Sequence, residues 1–208
     1  MNTIYLVRHG ETDWNIQGKY QGFTDVPLNE RGLAQAKACA EAMKEFQIDR
    51  IISSDLSRAQ VTAESINAYH HAPLKVDSRI REVNFGDWET LHIDEIDARW
   101  PGMIWNMYRH PETTALPNGE TFQEVQDRAW EALSDEIADA EDGQSILVVC
   151  HGGTIRTLLC KLIHLPLHYA WNFSQGNTAI NCIAYYGMGD NDHNTISFLN
   201  DTKHTIGL

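Results

Sequence analysis

The stretch TIYLVRHG, residues 3–10, joins an apolar run to an arginine, a histidine and a glycine at its end. β-Branched and aromatic residues in a short run that ends at glycine are typical of a buried strand. A second stretch, SILVVCHGG at 145–153, has the same order of apolar residues, histidine and glycine. Runs this apolar predict strands of a mostly parallel sheet that helices cover on both faces.

Helical patterns lie between the predicted strands. In LNERGLAQAKACAEAMKEF, Leu33, Ala36, Ala40 and Met43 follow helical spacing, and Asn29 stands where an N-cap is needed. Further helices are predicted at SRAQVTAESINAYH (57–70), TFQEVQDRAWEALSDEIADAE (121–141) and TIRTLLCKLIHL (154–165), the last ending before Pro166. Further strands are predicted at DRIISS (49–54), AINCIAYYG (179–187) and TISFLN (195–200), the last two joined as a hairpin. This alternation predicts an α/β fold, a three-layer α/β/α sandwich around a largely parallel central sheet.

Residues 83–120 follow neither the helical nor the strand period well. The segment crowds aromatic side chains among turn-forming prolines and glycines, namely Phe85, Trp88, Trp100, Trp105 and Tyr108. We interpret it as a covering segment within one domain that spans residues 1–208. The sequence leaves open whether these aromatic residues pack in the core or wall a substrate pocket beside Arg109 and His110.

The charge of the chain argues against several classes of partner. Of its 208 residues 22% are charged, and the net charge is −13 at pH 7. Such a surface repels nucleic acid phosphates and anionic lipids, and no basic run offsets it, so we expect neither nucleic acid nor membrane partners. No stretch reaches the roughly 18–20 apolar residues of a membrane span, and no signal-peptide pattern is present, so we expect a cytoplasmic protein. The composition is compatible with a homodimer but does not establish one.

Two of the predicted strands place a histidine at the carboxyl end, where open α/β sheets bind their ligands. If these strands are neighbours, His9 and His151 face one pocket. The glycines that follow let backbone N–H groups approach a ligand, and a helix that begins near Gly153 would direct its positive end at an anion. Arg8 and Arg58 can each bind two phosphate oxygens, so these residues predict a phosphate site.

Other residues complete this candidate site. Asn15 and Gln21 follow the first strand and can supply further donors, as can the backbone of Gly152. Glu82 is the carboxyl group that we expect in the same pocket, where its protonated form could donate a proton to a leaving alcohol. The remaining arginines near these motifs are interpreted as surface or framework charges, namely Arg31, Arg81 and Arg156.

Five features in this order resemble the histidine phosphatase superfamily, the phosphoglycerate mutase-like group. They are RHGET (8–12), Asn15, SSDLSRAQVTA (53–63), REVNFGDWE (81–89) and VVCHGGTIR (148–156). The resemblance implies that His9 is the nucleophile that becomes phosphorylated and that Glu82 is the proton donor. It also implies that the transferring phosphoryl group is bound by Arg8, Arg58 and His151. The full set of residues expected to bind phosphate is Arg8, Asn15, Gln21, Arg58, His151 and Gly152.

Within that superfamily the chain resembles the phosphatase branch, which includes broad-specificity phosphatases and α-ribazole phosphatase. LPNGETFQEVQDR (116–128) is similar to a stretch common there, and HGGTIR (151–156) is nearer to it than the Asn-Ser pair usual in cofactor-dependent mutases. The resemblance implies a phosphomonoesterase that hydrolyses a small phosphorylated metabolite through a phosphohistidine, with no metal or other cofactor. The alternatives are a cofactor-dependent phosphoglycerate mutase and a non-catalytic phosphate-ligand sensor or scaffold.

Overall fold

A computed structural model describes residues 1–189 and 192–208, and a six-stranded sheet forms its centre. The strands are β1 (Asn2–Arg8), β2 (Arg50–Ser53), β3 (Leu74–Val76), β4 (Ser145–Cys150), β5 (Ile180–Tyr185) and β6 (Thr195–Asp201). Their order is β3-β2-β4-β1-β5-β6, with the first four parallel and β5 and β6 antiparallel to their neighbours. The prediction of a largely parallel sheet is confirmed. β5 and β6 pair as a hairpin requires, although Asp190 and Asn191 of the predicted turn lie outside the described residues.

Helices pack on both faces of this sheet. They are α1 (Asp13–Gln17), α2 (Glu30–Met43), α3 (Ser57–His70), α4 (Ile93–Arg99), α5 (Met103–Arg109), α6 (Phe122–Asp139) and α7 (Gly152–Leu162). Alternate residues of β4 point to opposite layers: Ile146 and Val148 pack with α6 and α7, whereas Leu147 and Val149 pack with α2 and α3. A central strand buried on both faces belongs to a three-layer α/β/α sandwich, as predicted. Within the described residues, no helix combines the length and the apolarity needed to span a bilayer.

The buried face of α2 differs from the predicted one at Leu33, which is 50% exposed. Gly32 is buried instead, because a Cβ at that position would lie 2.0 Å from the carbonyl oxygen of Glu11. Gln35 is also buried, and its Oε1 accepts a hydrogen bond from Glu11 N–H (2.8 Å). Contact with the loop after β1 therefore decides which residues of this helix are covered.

Other departures concern short elements and one helix end. α7 ends at Leu162 instead of Leu165, since His164 takes up a left-handed φ of 54°. β3 has three residues, too few to produce a strand pattern in the sequence. The 83–120 segment contains two helices, α4 and α5, each of seven residues and without a predicted counterpart.

The 83–120 segment packs against the helices on one face of the sheet. Trp88, Ile96 and Met107 share a hydrophobic cluster with Phe122 of α6 and Cys160 of α7. This cluster brings the covering segment beside the carboxyl end of β4, where α7 begins. The segment is therefore placed to form one wall of a site at the strand ends.

Candidate active site

The carboxyl ends of β1 and β4 carry the two histidines singled out in the sequence. Arg8 pairs with Cys150 in the parallel register, so His9 and His151 follow on adjacent strands. Their ring centroids are 5.1 Å apart, with the ring planes at 57°. The two rings are therefore neighbours at the strand ends, as expected from the sequence; His9 lines the cavity there, and the fully buried His151 lies behind it.

His9 is held with one ring nitrogen occupied and the other free. Its Nδ1 lies 2.6 Å from the carbonyl oxygen of Gly10, and only a protonated nitrogen can donate to a carbonyl. The lone pair is therefore on Nε2. Burial lowers the pKa of His9 well below 6.5, and the nearby charges of Arg58 and Arg8 lower it further. The ring is consequently neutral near pH 7 and presents a nucleophilic nitrogen.

A hydrogen bond with Ser54 orients the ring of His151. The Nε2 atom of His151 lies 2.9 Å from Ser54 Oγ, which also accepts a hydrogen bond from Leu56 N–H (3.3 Å). The Ser54 hydroxyl has one proton to donate, and His151 Nε2 is the acceptor within reach among the described residues. We therefore infer that Ser54 donates to Nε2. The proton of the neutral ring then lies on Nδ1, which is buried without a partner among the described residues. Burial, followed by the charge of Arg58, lowers the pKa of His151 well below 6.5.

Each of the two predicted arginines has a donor that no described residue accepts. Arg58 donates from Nη2 to Gly22 O (2.8 Å) and from Nη1 to Thr24 O (2.9 Å), and Arg8 donates from Nη1 to Gln175 O (2.7 Å). The Nε atom of each is buried and has no acceptor among the described residues. Burial lowers the pKa of Arg8 to about 10, so it is still charged at neutral pH. Buried donors without acceptors, beside two guanidinium charges, have the chemistry needed to bind an anion.

Glu82 lies at the N-terminus of α7. Its Oε2 accepts from Gly153 N–H (3.1 Å), and its Oε1 accepts from Thr154 N–H (3.2 Å). The main chain of Glu82 is fixed by Arg128 of α6, whose Nη2 donates to Glu82 O (2.7 Å) and to Glu120 Oε2 (2.9 Å). Arg128 is a positioning residue that the sequence analysis missed.

The side chains of Asn15 and Gln21 are oriented by neighbouring hydrogen bonds. Thr12 N–H donates to Asn15 Oδ1 (3.1 Å), and the Thr12 hydroxyl donates to Gln21 Oε1 (2.9 Å). Asn177 Nδ2 also donates to Asn15 Oδ1 (3.2 Å). With their oxygens occupied as acceptors, the two amides have their NH₂ groups left for a ligand.

The cavity above these residues has two adjoining compartments. The inner compartment, of about 180 Å³, is lined by His9, Asn15, Gly18, Lys19, Gln21, Gly22 and Arg58. The outer compartment, of about 290 Å³, is lined by Met107, Tyr108, Phe122, Gly152, Gly153, Arg156 and Trp171. Four residues line both, namely Arg8, Tyr20, Glu82 and Phe85. No group of three or more His, Cys, Asp or Glu residues in the described ranges could hold a metal ion.

Arg156, interpreted from the sequence as a surface or framework charge, also lines the cavity. The side chain is half-buried and lines the outer compartment. It follows Gly152 by four residues and therefore shares its face of α7, a spacing that could have identified it. Arg81 does belong to the framework, since its Nε donates to Asp55 Oδ1 (2.7 Å), and Arg31 is exposed.

The aromatic residues of the covering segment divide between core and cavity. Phe85 and Tyr108 line the cavity, whereas Trp88 is fully buried and Trp105 is 65% exposed. Arg109 and His110 are exposed and line neither compartment. Besides Arg156, seven cavity residues were not anticipated from the sequence, namely Gly18, Lys19, Tyr20, Gly22, Met107, Phe122 and Trp171.

Comparison with known proteins gives the same fold and a consistent class of activity. The model of the histidine phosphatase superfamily (branch 1) matches residues 4–202. The protein named uncharacterized phosphatase PhoE, from Bacillus subtilis, is 40% identical over 162 residues, 78% of this chain and 78% of that protein. The protein named probable phosphoglycerate mutase GpmB, from Shigella boydii, is 36% identical over 185 residues, 89% of this chain and 86% of that protein.

Among solved structures, the α-ribazole phosphatase from Shigella flexneri superposes with a TM-score of 0.83 at 28% identity, covering 96% of each chain. The resemblance to the phosphatase branch that the sequence motifs carry is thereby confirmed. So is the phosphoglycerate mutase-like architecture around the six-stranded sheet.

Proposed function

Because the chain belongs to the histidine phosphatase superfamily (branch 1), we propose that it is a phosphomonoesterase that acts on a small phosphorylated metabolite through a phosphohistidine at His9. The matches to PhoE and to the α-ribazole phosphatase support phosphatase activity. The proposed catalytic residues are Arg8, His9, Arg58, Glu82 and His151. The proposed phosphate ligands are Arg8, Asn15, Gln21, Arg58, His151 and Gly152.

One observation carries this proposal more than any other. His9, whose Nε2 carries the lone pair, has as neighbours three buried donors that lack acceptors among the described residues. Those donors are Arg8 Nε, Arg58 Nε and His151 Nδ1. A phosphoryl group has the negative oxygens that such donors require, and its phosphorus is the electrophile that a neutral imidazole attacks.

In the first step, the lone pair of His9 Nε2 forms a bond to phosphorus while the bond to the ester oxygen breaks. The departing oxygen takes a proton from the carboxyl group of Glu82, so an alcohol leaves and a carboxylate remains. Arg8 and Arg58 balance the charge on the phosphoryl oxygens, which is the main requirement of this reaction. The proposal therefore assigns no step to a metal or other cofactor.

In the second step, water attacks the phosphorus of the phosphohistidine and gives a proton to the Glu82 carboxylate. The bond between phosphorus and Nε2 breaks, and its electron pair returns to the imidazole. Inorganic phosphate leaves, and both His9 and Glu82 regain their starting protonation. His151 Nδ1–H donates to the same oxygens throughout and needs no change of charge.

The direct test is to trap the intermediate. We expect brief incubation with a radiolabelled aryl phosphate, followed by alkaline denaturation, to leave an acid-labile, alkali-stable phosphoryl group on His9. His9→Ala should abolish both the label and steady-state hydrolysis, whereas His110→Ala, which changes an exposed histidine outside the cavity, should retain both. Label that persists in His9→Ala would refute the proposed nucleophile.

A phosphoglycerate mutase is a second candidate, favoured by the 36% identity to the protein named probable phosphoglycerate mutase GpmB. In a mutase, a hydroxyl of the bound sugar acid would take the phosphoryl group from His9 in place of water. Incubation with 3-phosphoglycerate separates the two functions, because a phosphatase releases inorganic phosphate. Formation of 2-phosphoglycerate without phosphate release would replace the proposal, and a non-catalytic phosphate sensor would give neither product.

A further inference from the structure

The outer compartment contains a cation with no ion-pair partner among residues 1–189 and 192–208. Arg156 is half-buried, and its Nε donates to Phe173 O (2.9 Å), which anchors the inner edge of the guanidinium group. Glu82 is the neighbouring acidic residue, but its carboxyl oxygens accept hydrogen bonds from Gly153 N–H and Thr154 N–H instead of from Arg156. The terminal nitrogens of Arg156 are therefore available to a ligand.

A second guanidinium group borders the same space. A Cβ built on Gly152 would lie 3.1 Å from Arg156 Nη1 and 3.4 Å from Arg8 Nε. Arg8 Nε is one of the buried donors that have no acceptor among the described residues. Two arginine nitrogens from different elements thus converge beside a residue that has no side chain to fill the space between them.

The outer compartment is small, and part of its wall is apolar. Phe85, Met107, Phe122 and Trp171 contribute hydrocarbon surface. Its volume of about 290 Å³ is below the roughly 300–1,000 Å³ of sites that enclose drug-sized ligands. An unpaired guanidinium group in such surroundings loses hydration, which a carboxylate can replace with two parallel hydrogen bonds.

We propose that the outer compartment binds a carboxylate on the organic part of the substrate, with the terminal nitrogens of Arg156 as its ligands. Arg156 is then a specificity-determining residue, and the favoured substrate class is the phosphate monoester of a short hydroxy acid. This inference rests on the proposed phosphatase function, because it concerns the group attached to the transferred phosphoryl.

The position of Arg156 separates this role from binding of the phosphoryl group. Arg58 lines the inner compartment and not the outer one, whereas Arg156 lines the outer compartment and not the inner one. Arg8 borders both compartments and can hold a phosphoryl oxygen there. A substrate that spans the two must therefore carry its second anionic group close to its ester oxygen.

The test compares two substrates that differ at one group. 3-Phosphoglycerate carries a carboxylate where glycerol 3-phosphate has a CH₂OH group, and release of inorganic phosphate gives kcat/KM for each. We expect Arg156→Met, which keeps the apolar stem, to lower kcat/KM for 3-phosphoglycerate about 10- to 100-fold. The value for glycerol 3-phosphate should change less than about threefold, and Arg109→Met, at an exposed arginine of α5, should change neither.

Arg156→Lys provides the second variant and guards against a folding defect. Lysine keeps the charge but not the paired donors, so partial recovery of 3-phosphoglycerate hydrolysis supports carboxylate binding. Equal losses for both substrates would assign Arg156 to the phosphoryl group or to the framework and would overturn the inference. No loss for either substrate would overturn it as well.

An aryl phosphate without a carboxylate distinguishes the failure of this inference from the failure of the proposed function. If the wild type does not hydrolyse it, the phosphatase proposal fails. A second outcome would refute only the carboxylate site. In it, the wild type and Arg156→Met hydrolyse the aryl phosphate equally well, and each enzyme has the same kcat/KM for 3-phosphoglycerate as for glycerol 3-phosphate.

Discussion

The inner compartment holds its charged side chains by hydrogen bonds to the backbone. Arg58 donates to two carbonyl oxygens, those of Gly22 and Thr24, and His9 donates to Gly10 O. Hydrogen bonds restrict angle as well as distance, so these groups are fixed before a ligand arrives. Such preorganisation suits a tetrahedral group with one geometry, the phosphoryl group.

The outer compartment is built by aromatic packing instead. The ring centroid of Trp171 lies 4.6 Å from that of Tyr108 and 4.9 Å from that of Phe122. The ring planes meet at 84° and 70°, which are edge-to-face arrangements. Apolar contacts tolerate volume-conserving changes better than a hydrogen-bonded site tolerates loss of a partner. The two compartments are thus held by different interactions, and under our proposals phosphoryl transfer depends mainly on the inner one and the choice of substrate on the outer one.

The largest expected effect concerns Glu82, which lines both compartments. If it protonates the leaving oxygen, Glu82→Gln should lower kcat for an alkyl phosphate by about 10²- to 10⁴-fold. An aryl phosphate leaves without help and should lose far less. The measurement is kcat for both substrates. Glu45→Gln serves as the control, since Glu45 is exposed in the turn after α2. Equal losses for the two leaving groups would remove Glu82 from the proton-transfer step.

Much of the candidate catalytic set could be predicted because its residues stand next to one another in strand-end motifs. Arg8 ends β1 and His9 follows it, and His151 follows β4, so a parallel register alone brings them together. The outer compartment could not be predicted in this way. Tyr20 and Trp171 reach it from loops and turns whose paths depend on tertiary packing.

The fold divides in a similar manner. Long elements with clear periodicity, such as α3 and α6, begin and end close to the predicted residues. Short elements, such as β3 and α4, have too few residues to establish a period. Leu33 has an apolar side chain in a helical pattern and is nevertheless exposed, because a backbone contact at Gly32 decides the orientation of α2.

An intermediate effect on stability and activity is expected at Arg128, which holds the main chain of Glu82 between the two compartments. Arg128 Nη1 donates to Arg79 O (2.7 Å) and Arg81 O (2.9 Å), and Nη2 donates to Glu82 O (2.7 Å). Arg128→Met removes the side-chain donor from Arg79 O and Glu82 O, whereas Arg81 O keeps the Thr154 hydroxyl (2.7 Å), and it should lower the free energy of unfolding by about 1–3 kcal/mol. It should also lower kcat more for an alkyl than for an aryl phosphate, because Glu82 loses its fixed position.

Urea unfolding monitored by circular dichroism gives the free energy of unfolding. The ratio of kcat for the alkyl phosphate to kcat for the aryl phosphate shows whether Glu82 is still positioned for proton transfer. Arg99→Met serves as the control, since Arg99 is an exposed arginine of the covering segment. A variant that is destabilised but keeps the wild-type ratio of kcat values would show that Arg128 supports the fold without positioning Glu82.

The smallest expected effect is on the pH dependence of stability. Burial and the neighbouring arginines lower the pKa of His9 well below 6.5 in the folded chain. Below pH 6.5 the unfolded chain therefore binds more protons than the folded chain, and the free energy of unfolding falls as the pH falls. Between about pH 7.5 and pH 6, we expect this fall to be about 1 kcal/mol smaller in His9→Gln than in the wild type.

The same urea titrations with inorganic phosphate connect this effect to the inner compartment. A bound anion favours the protonated form of His9, so phosphate should reduce the difference between the wild type and His9→Gln. His110→Gln, at an exposed histidine, should follow the wild type at every pH. Because a ring that resists protonation in the folded chain must make stability fall with pH, identical pH profiles for the wild type and His9→Gln would contradict the neutral nucleophile proposed at His9.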